Sequence, residues 1–143
     1  GSYREGGMTD QAVDSLIRDL EGLDVEVEQI KLRDVPIRFC LNCRECMQSP
    51  GDKPGTCVLD DGMHSIIERI DAADGYVLAS PTNFSSATAL FKRFSERLAP
   101  FGYWPWGAMA PKFRKDKQAL GLAACRKKSF LGEKASVLLS DLA

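Results

Sequence analysis

The stretch Gly75 to Arg93 constrains the chain more than any other. Tyr76-Val77-Leu78-Ala79 is unbroken and apolar. It gives way to Ser80-Pro81-Thr82-Asn83-Phe84-Ser85-Ser86, after which Ala87, Leu90, Phe91 and Phe94 return at helical spacing. A short run that is apolar on both faces suits a buried parallel strand. Pro81 has no N–H to give to a ladder, so the strand is expected to stop there. Ser85 or Ser86 is expected to N-cap the helix. The segment therefore reads as strand, loop, helix, and in open α/β sheets such a loop lies at the carboxyl ends of the strands, where ligands bind.

Upstream, Gly1-Ser2-Tyr3-Arg4-Glu5-Gly6-Gly7-Met8-Thr9 runs straight into a helical pattern. Thr9 reads as its N-cap, with Ala12, Val13, Leu16, Ile17 and Leu20 as one apolar stripe and Gly22 as the C′ residue. A helix N-terminus behind glycine, serine and arginine can hold a phosphate, because free amides and a partial positive charge point at it. The competing reading is a flexible terminus in which Gly1-Ser2 is a tag remnant. Asp24 to Leu32 alternates in part and reads as a strand near a sheet edge, ended by Pro36. Asp60 or Asp61 is expected to cap a helix whose core face is Met63, Ile66, Ile67 and Ile70.

Beyond Pro100, the aromatic segment from Phe101 to Gly107 reads as a long loop, and loops of that length are often functional. In it, Trp104 and Trp106 could cover a ligand, fill a subunit contact or simply pack the loop. Lys112 to Lys117 reads as a solvated turn, Ala119 to Ala124 as a buried strand, and Glu133 to Leu142 as a final helix. Alternation of this kind gives an α/β fold, a parallel sheet with helices on both faces. Such a fold hangs its phosphate loop from a first strand, so a strand is expected before Ser2. The chain as given lacks that strand, and also a fifth strand and last helix, so residues 1–143 read as a single domain that is a fragment or has residues missing.

Lysine and arginine number 19 against 20 aspartate and glutamate, a formal net charge of −1. That balance argues against nucleic acid or an anionic membrane surface as the main partner. No apolar segment is long enough to span a bilayer, and no signal peptide is visible. The five cysteines are odd in number and three are tightly clustered. This fits metal or redox chemistry in a reducing, cytoplasmic setting better than a disulfide scaffold.

Three segments together carry a resemblance. Gly1 to Thr9 resembles the phosphate loop of the NADPH-dependent FMN reductases, flavodoxin-like proteins related to the iron–sulfur flavoproteins. Ser80-Pro81-Thr82-Asn83-Phe84 resembles that family's flavin-ring loop. Cys40-x2-Cys43-x2-Cys46, followed by Cys57-Val58-Leu59-Asp60-Asp61-Gly62-Met63, resembles its cysteine segment. The likeness runs in order from Gly1 to about Ala124 and implies a flavodoxin-like doubly wound parallel sheet. It also implies that Ser2, Arg4 and Thr9, with the amide of Met8, hold the FMN phosphate, and that Pro81, Thr82, Asn83 and Phe84 line the isoalloxazine. Two departures stand out. Cys125-Arg126-Lys127-Lys128 is more basic than the family's usual loop after the last strand, which puts a third flavin contact in doubt, and Gly62 stands where an aspartate is common.

The resemblance implies an FMN-dependent oxidoreductase taking electrons from NAD(P)H to a small acceptor such as a quinone or free flavin. Relatives of this kind are commonly homodimers or homotetramers. No catalytic side chain is singled out, because a flavin carries such chemistry and the protein positions it. Cys40, Cys43, Cys46 and Cys57 form an iron–sulfur pattern, although the last gap is longer than in compact cluster motifs. The alternatives are a [4Fe–4S] cluster, or thiols lining a loop near the flavin or a subunit contact. With the cluster, the function becomes that of an iron–sulfur flavoprotein carrying electrons between proteins. A flavin-free scaffold domain is the remaining rival. Cys125 reads as a separate buried thiol and His64 as a surface histidine.

Overall fold

The computed structural model describes residues 1–104, 110–112, 117–129 and 132–141, the stretches 110–111, 125–129 and 132–141 by their backbone course. Among them run the helices α1 (Met8–Glu21), α2 (Met63–Ala72) and α3 (Ala89–Glu96). The strands are β1 (Gly75–Asn83), β2 (Ser86–Ala87), β3 (Gly102–Tyr103), β4 (Ala110–Pro111), β5 (Gln118–Ser129) and β6 (Gly132–Asp141). No helix among the described residues is long and apolar enough to cross a membrane. The chain forms two compact units. The first is residues 1–34, 77–91 and 120–142; the second is chiefly 35–76 and 92–119.

The first unit carries most of a four-stranded sheet ordered β2-β1-β5-β6. The two outer pairs are antiparallel hairpins and the sheet contains a parallel pair, so the α/β class expected from the alternation is the one observed. β1 follows the apolar run but does not stop at Pro81. It continues to Asn83 and turns back as β2, with Thr82 opposite Ala87 and Asn83 opposite Ser86. Proline is tolerated here because the two-residue ladder to β2 begins only after it. The turn residues Phe84 and Ser85 both have positive φ, 47° and 61°, the geometry of a two-residue type I′ turn. Ser85 and Ser86 are thereby used up in the hairpin, and Ala87 is exposed in β2 rather than on the helical stripe.

The N-cap of α3 is Thr88, whose Oγ1 accepts the Phe91 N–H at 3.2 Å. At α1 the cap is Gly7, two residues ahead of the expected Thr9, which leaves Thr9 buried inside the first turn. The stripe Ala12, Val13, Leu16, Ile17 and Leu20 is half-buried. Gly22 ends the helix in a right-handed conformation, and the left-handed residue is Asp24 at φ 60°. Residues 25–31 form no strand. Their alternation is only partial, and β propensity of that kind becomes a strand only where neighbours pack on it.

β5 runs past Ala124 to Ser129, so Cys125 to Lys128 lies in a strand rather than a loop; the Cys125 side chain is outside the described residues. Residues 132–141 form a strand paired with β5 from Ser129↔Gly132 to Leu120↔Asp141, where a helix was expected over Glu133–Leu142. Val137 to Leu139 is a short apolar run, and periodicity cannot separate helix from strand in such runs. The open edge of a long strand next in sequence decides the outcome.

The second unit packs Ile37, Met47, Leu59, Met63, Ile66, Ile67, Phe94 and Phe101 to under a tenth exposure, with Ile70 at the margin. Met63, Ile66 and Ile67 are the expected inner face of α2. Lys112 is buried, its Nζ 5.7 Å from the Tyr103 ring centre, and Lys117 Nζ donates to the Asp71 and Ala73 carbonyls at the end of α2. These two lysines therefore seal the unit rather than forming a solvated turn; residues 113–116 between them are outside the described residues. Cationic side chains at a helix C-terminus meet its unsatisfied carbonyls, which is what Lys117 does.

Candidate functional site

All eight residues expected to touch a flavin lie in the first unit. Gly7 offers no side chain to cap α1, so helix geometry leaves the N–H groups of Met8, Thr9 and Asp10 without intrahelical partners. Amides of this kind can receive an anion. The loop ahead of them is shaped by Gly6 at φ 63°, a left-handed value that a glycine adopts without strain. Arg4 and Met8 are exposed, whereas Ser2 and Thr9 are buried. Ser2 Oγ accepts the Arg4 N–H at 3.2 Å, closing a tight turn.

Sequence reasoning missed the pair that braces this loop. Asp10 accepts the Gly6 N–H at 3.0 Å. Arg33 donates to both oxygens of Asp10, at 3.2 and 3.0 Å, and to the Ser2 carbonyl at 3.3 Å. The hydrogen bond from Arg33 holds the Asp10 carboxyl below its ordinary range. An aspartate in the first turn of α1 would repel a phosphate if left alone; paired with Arg33 it does not. The sequence shows an acid there, but nothing local connects it to position 33.

The phosphate loop is tied directly to the hairpin side of the unit. The backbone nitrogen of Gly1 donates to the Ala79 carbonyl at 2.6 Å, and Thr88 Oγ1 donates to the Gly1 carbonyl at 2.6 Å. Ser80 Oγ accepts the Thr88 N–H at 3.2 Å and donates to the Pro81 carbonyl at 3.0 Å. Ser80 and Thr88 are both buried. This small polar knot fixes the start of the phosphate loop against β1. Past it, Pro81 is half-buried, Thr82 and Asn83 are exposed, and Phe84 stands fully exposed at the hairpin tip. A helix N-terminus, a serine–arginine turn and a projecting aromatic ring on one unit fit a ligand with a phosphate at one end and a flat ring at the other.

The cysteines lie in the second unit, on a loop with little regular structure. Asn42 and Arg44 take positive φ, 53° and 65°, and bend the chain sharply around Cys43. Cys46 sits in a short turn, Glu45–Met47, that packs on the turn Ala99–Phe101. Gly55 donates its N–H to the Pro100 carbonyl at 2.9 Å. A Cβ on it would stand 1.9 Å from the Cys46 carbonyl oxygen, so only glycine fits. Trp104 donates its N–H to the Met47 carbonyl at 3.0 Å and lies under the Arg44 guanidinium at 4.7 Å. Of the uses open to the tryptophans, Trp104 takes that of loop packing; Trp106 is outside the described residues.

Cys43 is exposed and Cys40, Cys46 and Cys57 are half-buried. Burial pushes the Cys46 thiol up, and the neighbouring charges of Cys57, Cys43 and Cys40 push it the same way. Among the described residues, however, no group of three or more His, Cys, Asp or Glu is placed so that it could hold a metal ion. The Asn42 N–H points at Cys40 Sγ at 3.4 Å.

The end of this loop is held by side chains that the sequence undersold. Asp61, expected as a cap, does accept the Met63 N–H at 3.0 Å, but it also accepts the Arg38 N–H at 2.8 Å and forms a buried pair with Arg97. Burial alone would raise its carboxyl; the Arg97 hydrogen bond and the two amides outweigh that and hold it at about 2. His64, expected at the surface, is half-buried and places Nε2 3.1 Å from the Cys57 carbonyl oxygen.

Comparison with known proteins points the same way as the geometry. The family model for NADPH-dependent FMN reductases matches residues 1–129. Among curated proteins, an iron–sulfur flavoprotein of Archaeoglobus fulgidus is 30% identical over 105 residues, covering 73% of this chain and 46% of its own length. One of Clostridioides difficile is 35% identical over 100 residues, covering 68% and 42%. One of Methanocaldococcus jannaschii is 29% identical over 100 residues, covering 70% and 49%. The chain spans about half the length of these relatives. No solved structure matches it significantly.

Proposed function

This chain belongs to the NADPH-dependent FMN reductase family, which is flavodoxin-like, and from that premise we propose that it binds FMN and passes electrons from NAD(P)H to a small acceptor such as a quinone or free flavin. FMN when bound supplies the hydride and electron chemistry. The chain's own part is to hold it: the amides of Met8 and Thr9, with Ser2 and Arg4, at the phosphate, and Pro81, Thr82, Asn83 and Phe84 along the ring. The observation that carries this reading is the hydrogen-bonded knot of Gly1, Ala79, Ser80 and Thr88, which joins the anion-binding helix terminus to the aromatic hairpin within one unit.

The visible spectrum of the purified protein, before and after adding FMN, tests it. A yellow protein, or one that takes up FMN and then oxidises NADPH, supports the reading. A colourless protein that ignores FMN defeats it in favour of a scaffold domain. The assembly proposed is a homodimer or homotetramer, which size-exclusion chromatography measures.

A second reading is favoured by the four cysteines of one loop and by the names of the relatives. In it Cys40, Cys43, Cys46 and Cys57 hold a [4Fe–4S] cluster, which supplies one-electron transfer, and the chain carries electrons between proteins. Anaerobic purification with iron and acid-labile sulfide analysis decides between the two. Stoichiometric iron and sulfide, lost in Cys57→Ser and Cys43→Ser alike, would establish the carrier; NADPH oxidation by an iron-free protein would establish the reductase.

A further inference from the structure

One ion pair grips the loop ahead of α1 at both of its ends. Arg33, in the short turn Leu32–Asp34, donates from Nη1 to the Ser2 carbonyl at 3.3 Å and to Asp10 Oδ1 at 3.2 Å, and from Nη2 to Asp10 Oδ2 at 3.0 Å. Asp10 Oδ2 in turn accepts the Gly6 N–H at 3.0 Å, while Gln11 Nε2 donates to the Gly6 carbonyl at 3.0 Å. Ser2 at the start of the loop and Gly6 at its end are therefore both tied to the first turn of α1. Between them stands Arg4, exposed, with its N–H on Ser2 Oγ at 3.2 Å.

Asp10 is an awkward residue to find here. A carboxylate in the first turn favours the helix itself, but it is an anion where a second anion is to bind. It already occupies one amide of the loop, that of Gly6. Left charged and alone, it would repel a phosphate dianion approaching the amides of Met8 and Thr9. A two-pronged guanidinium contact, the strong form of carboxylate pairing, removes that repulsion. We propose that Arg33 is a positioning residue for the ligand's phosphate: through Asp10 and the Ser2 carbonyl it fixes residues 2–6 on α1 and cancels the carboxylate beside the α1 amides. The inference rests on the reading that FMN places its phosphate at α1. It makes the need for Arg33 conditional, because the residue matters for as long as Asp10 is charged.

Titration with FMN and with riboflavin, followed by quenching of flavin fluorescence, measures this without any turnover. Arg33→Gln should weaken FMN about 10-fold, within the range for residues in one charged network, and leave riboflavin within about twofold. On an Asp10→Asn background the same change should cost FMN almost nothing, because the charge that Arg33 cancels is gone. Asp10→Asn alone should not weaken FMN. Arg33→Lys, which keeps the charge but loses the planar fork, should fall between the wild type and Arg33→Gln. A pair that merely holds the fold would behave otherwise: both single variants would weaken both flavins, and the double variant would be no better than either. Far-UV circular dichroism checks the fold, and where Arg33→Gln does not fold, Arg33→Lys is read in its place, its FMN-specific loss again relieved by Asp10→Asn.

Equal losses for the two flavins, or a double variant as weak toward FMN as Arg33→Gln, would overturn the inference. Inorganic phosphate, read by the rise it causes in the thermal midpoint, separates it from the FMN reading. A wild type that ignores both flavins but is stabilised by phosphate, less so in Arg33→Gln and fully again in the double variant, sinks FMN and leaves Arg33 in place. A wild type that binds FMN while Arg33→Gln binds it equally well does the reverse, and a protein that takes up neither flavin nor phosphate overturns both.

Discussion

In the unit that carries the proposed phosphate loop, the groups that would meet a ligand are backbone amides and exposed side chains at the ends of regular elements. In the unit that carries the cysteines, they are thiols on a loop with almost no regular structure. The first needs only light bracing: hydroxyl-to-backbone bonds through Ser2, Ser80 and Thr88, and one ion pair, Arg33–Asp10, whose side chains are 12% and 17% exposed. The second is anchored by an ion pair at 1% and 5% exposure, Arg97–Asp61, and by cations stacked on rings, Arg44 on Trp104 and Arg93 on Phe39. A helix terminus presents its amides by geometry alone, whereas an irregular loop has to be held from outside. The two sites therefore differ in how they fail.

The largest effect is expected where the second unit is held. Asp61→Ala strands the buried Arg97 charge and should cost roughly 3–5 kcal/mol, read as a fall in the urea unfolding midpoint. Asp10→Ala at the more open pair should cost clearly less; equal losses would erase the contrast. Acid should expose the same difference. The Asp61 carboxyl sits at about 2 in the folded protein, below its ordinary value of 3.8. Over that interval the unfolded chain binds more protons than the folded one. The stabilisation is thus complete above about pH 4 and is lost as pH falls toward about 2. Urea midpoints measured across this range should fall for the wild type, and Asp61→Asn should flatten the slope.

Next comes the exposed arginine of the phosphate loop. Arg4→Ala should weaken FMN by about 1.5–3 kcal/mol, the worth of a hydrogen bond to a charged group, and leave riboflavin nearly untouched. Calorimetric titration of both ligands checks this, and equal loss for both would remove Arg4 from the phosphate. A smaller effect is expected at the knot: Thr88→Val removes the N-cap of α3 and its bond to Gly1, for about 0.5–2 kcal/mol of stability. Smallest of all, Glu96→Gln breaks the exposed Lys92–Glu96 pair on α3, 3.6 Å apart, and should shift stability by only about 0.3–0.5 kcal/mol. A larger change there would mean that surface charge matters more to the second unit than its buried pair suggests.

These expectations also mark what the amino-acid order discloses. The inner face of α2 and the helix that begins at Met8 are local patterns and are read correctly; at Tyr76–Ala79 the strand is read correctly but its burial on both faces is not, since Val77 is exposed and its neighbours are half-buried. Caps are read to within two or three residues; Thr88 caps α3 because it is also bonded to Ser80 and Gly1, contacts that the local pattern does not show. The strand at Gly132–Asp141 was hidden because a short apolar run fits helix and strand equally, and the choice was made by a neighbour. Arg33, Arg97 and His64 were illegible for a different reason. Each acts on residues far away in sequence, and a lone arginine or histidine on a polar helix face carries no sign of its partner.

The hairpin tip has one more consequence, for anyone who sets out to make this protein sturdier. Phe84 and Ser85 hold left-handed backbone angles that side-chain-bearing residues avoid, and Phe84 gains nothing from burial. An algorithm scoring only folded-state energy would rewrite the pair as Asn-Gly, the preferred type I′ sequence. The redesigned chain would melt later and would have lost the fully exposed ring at the hairpin tip.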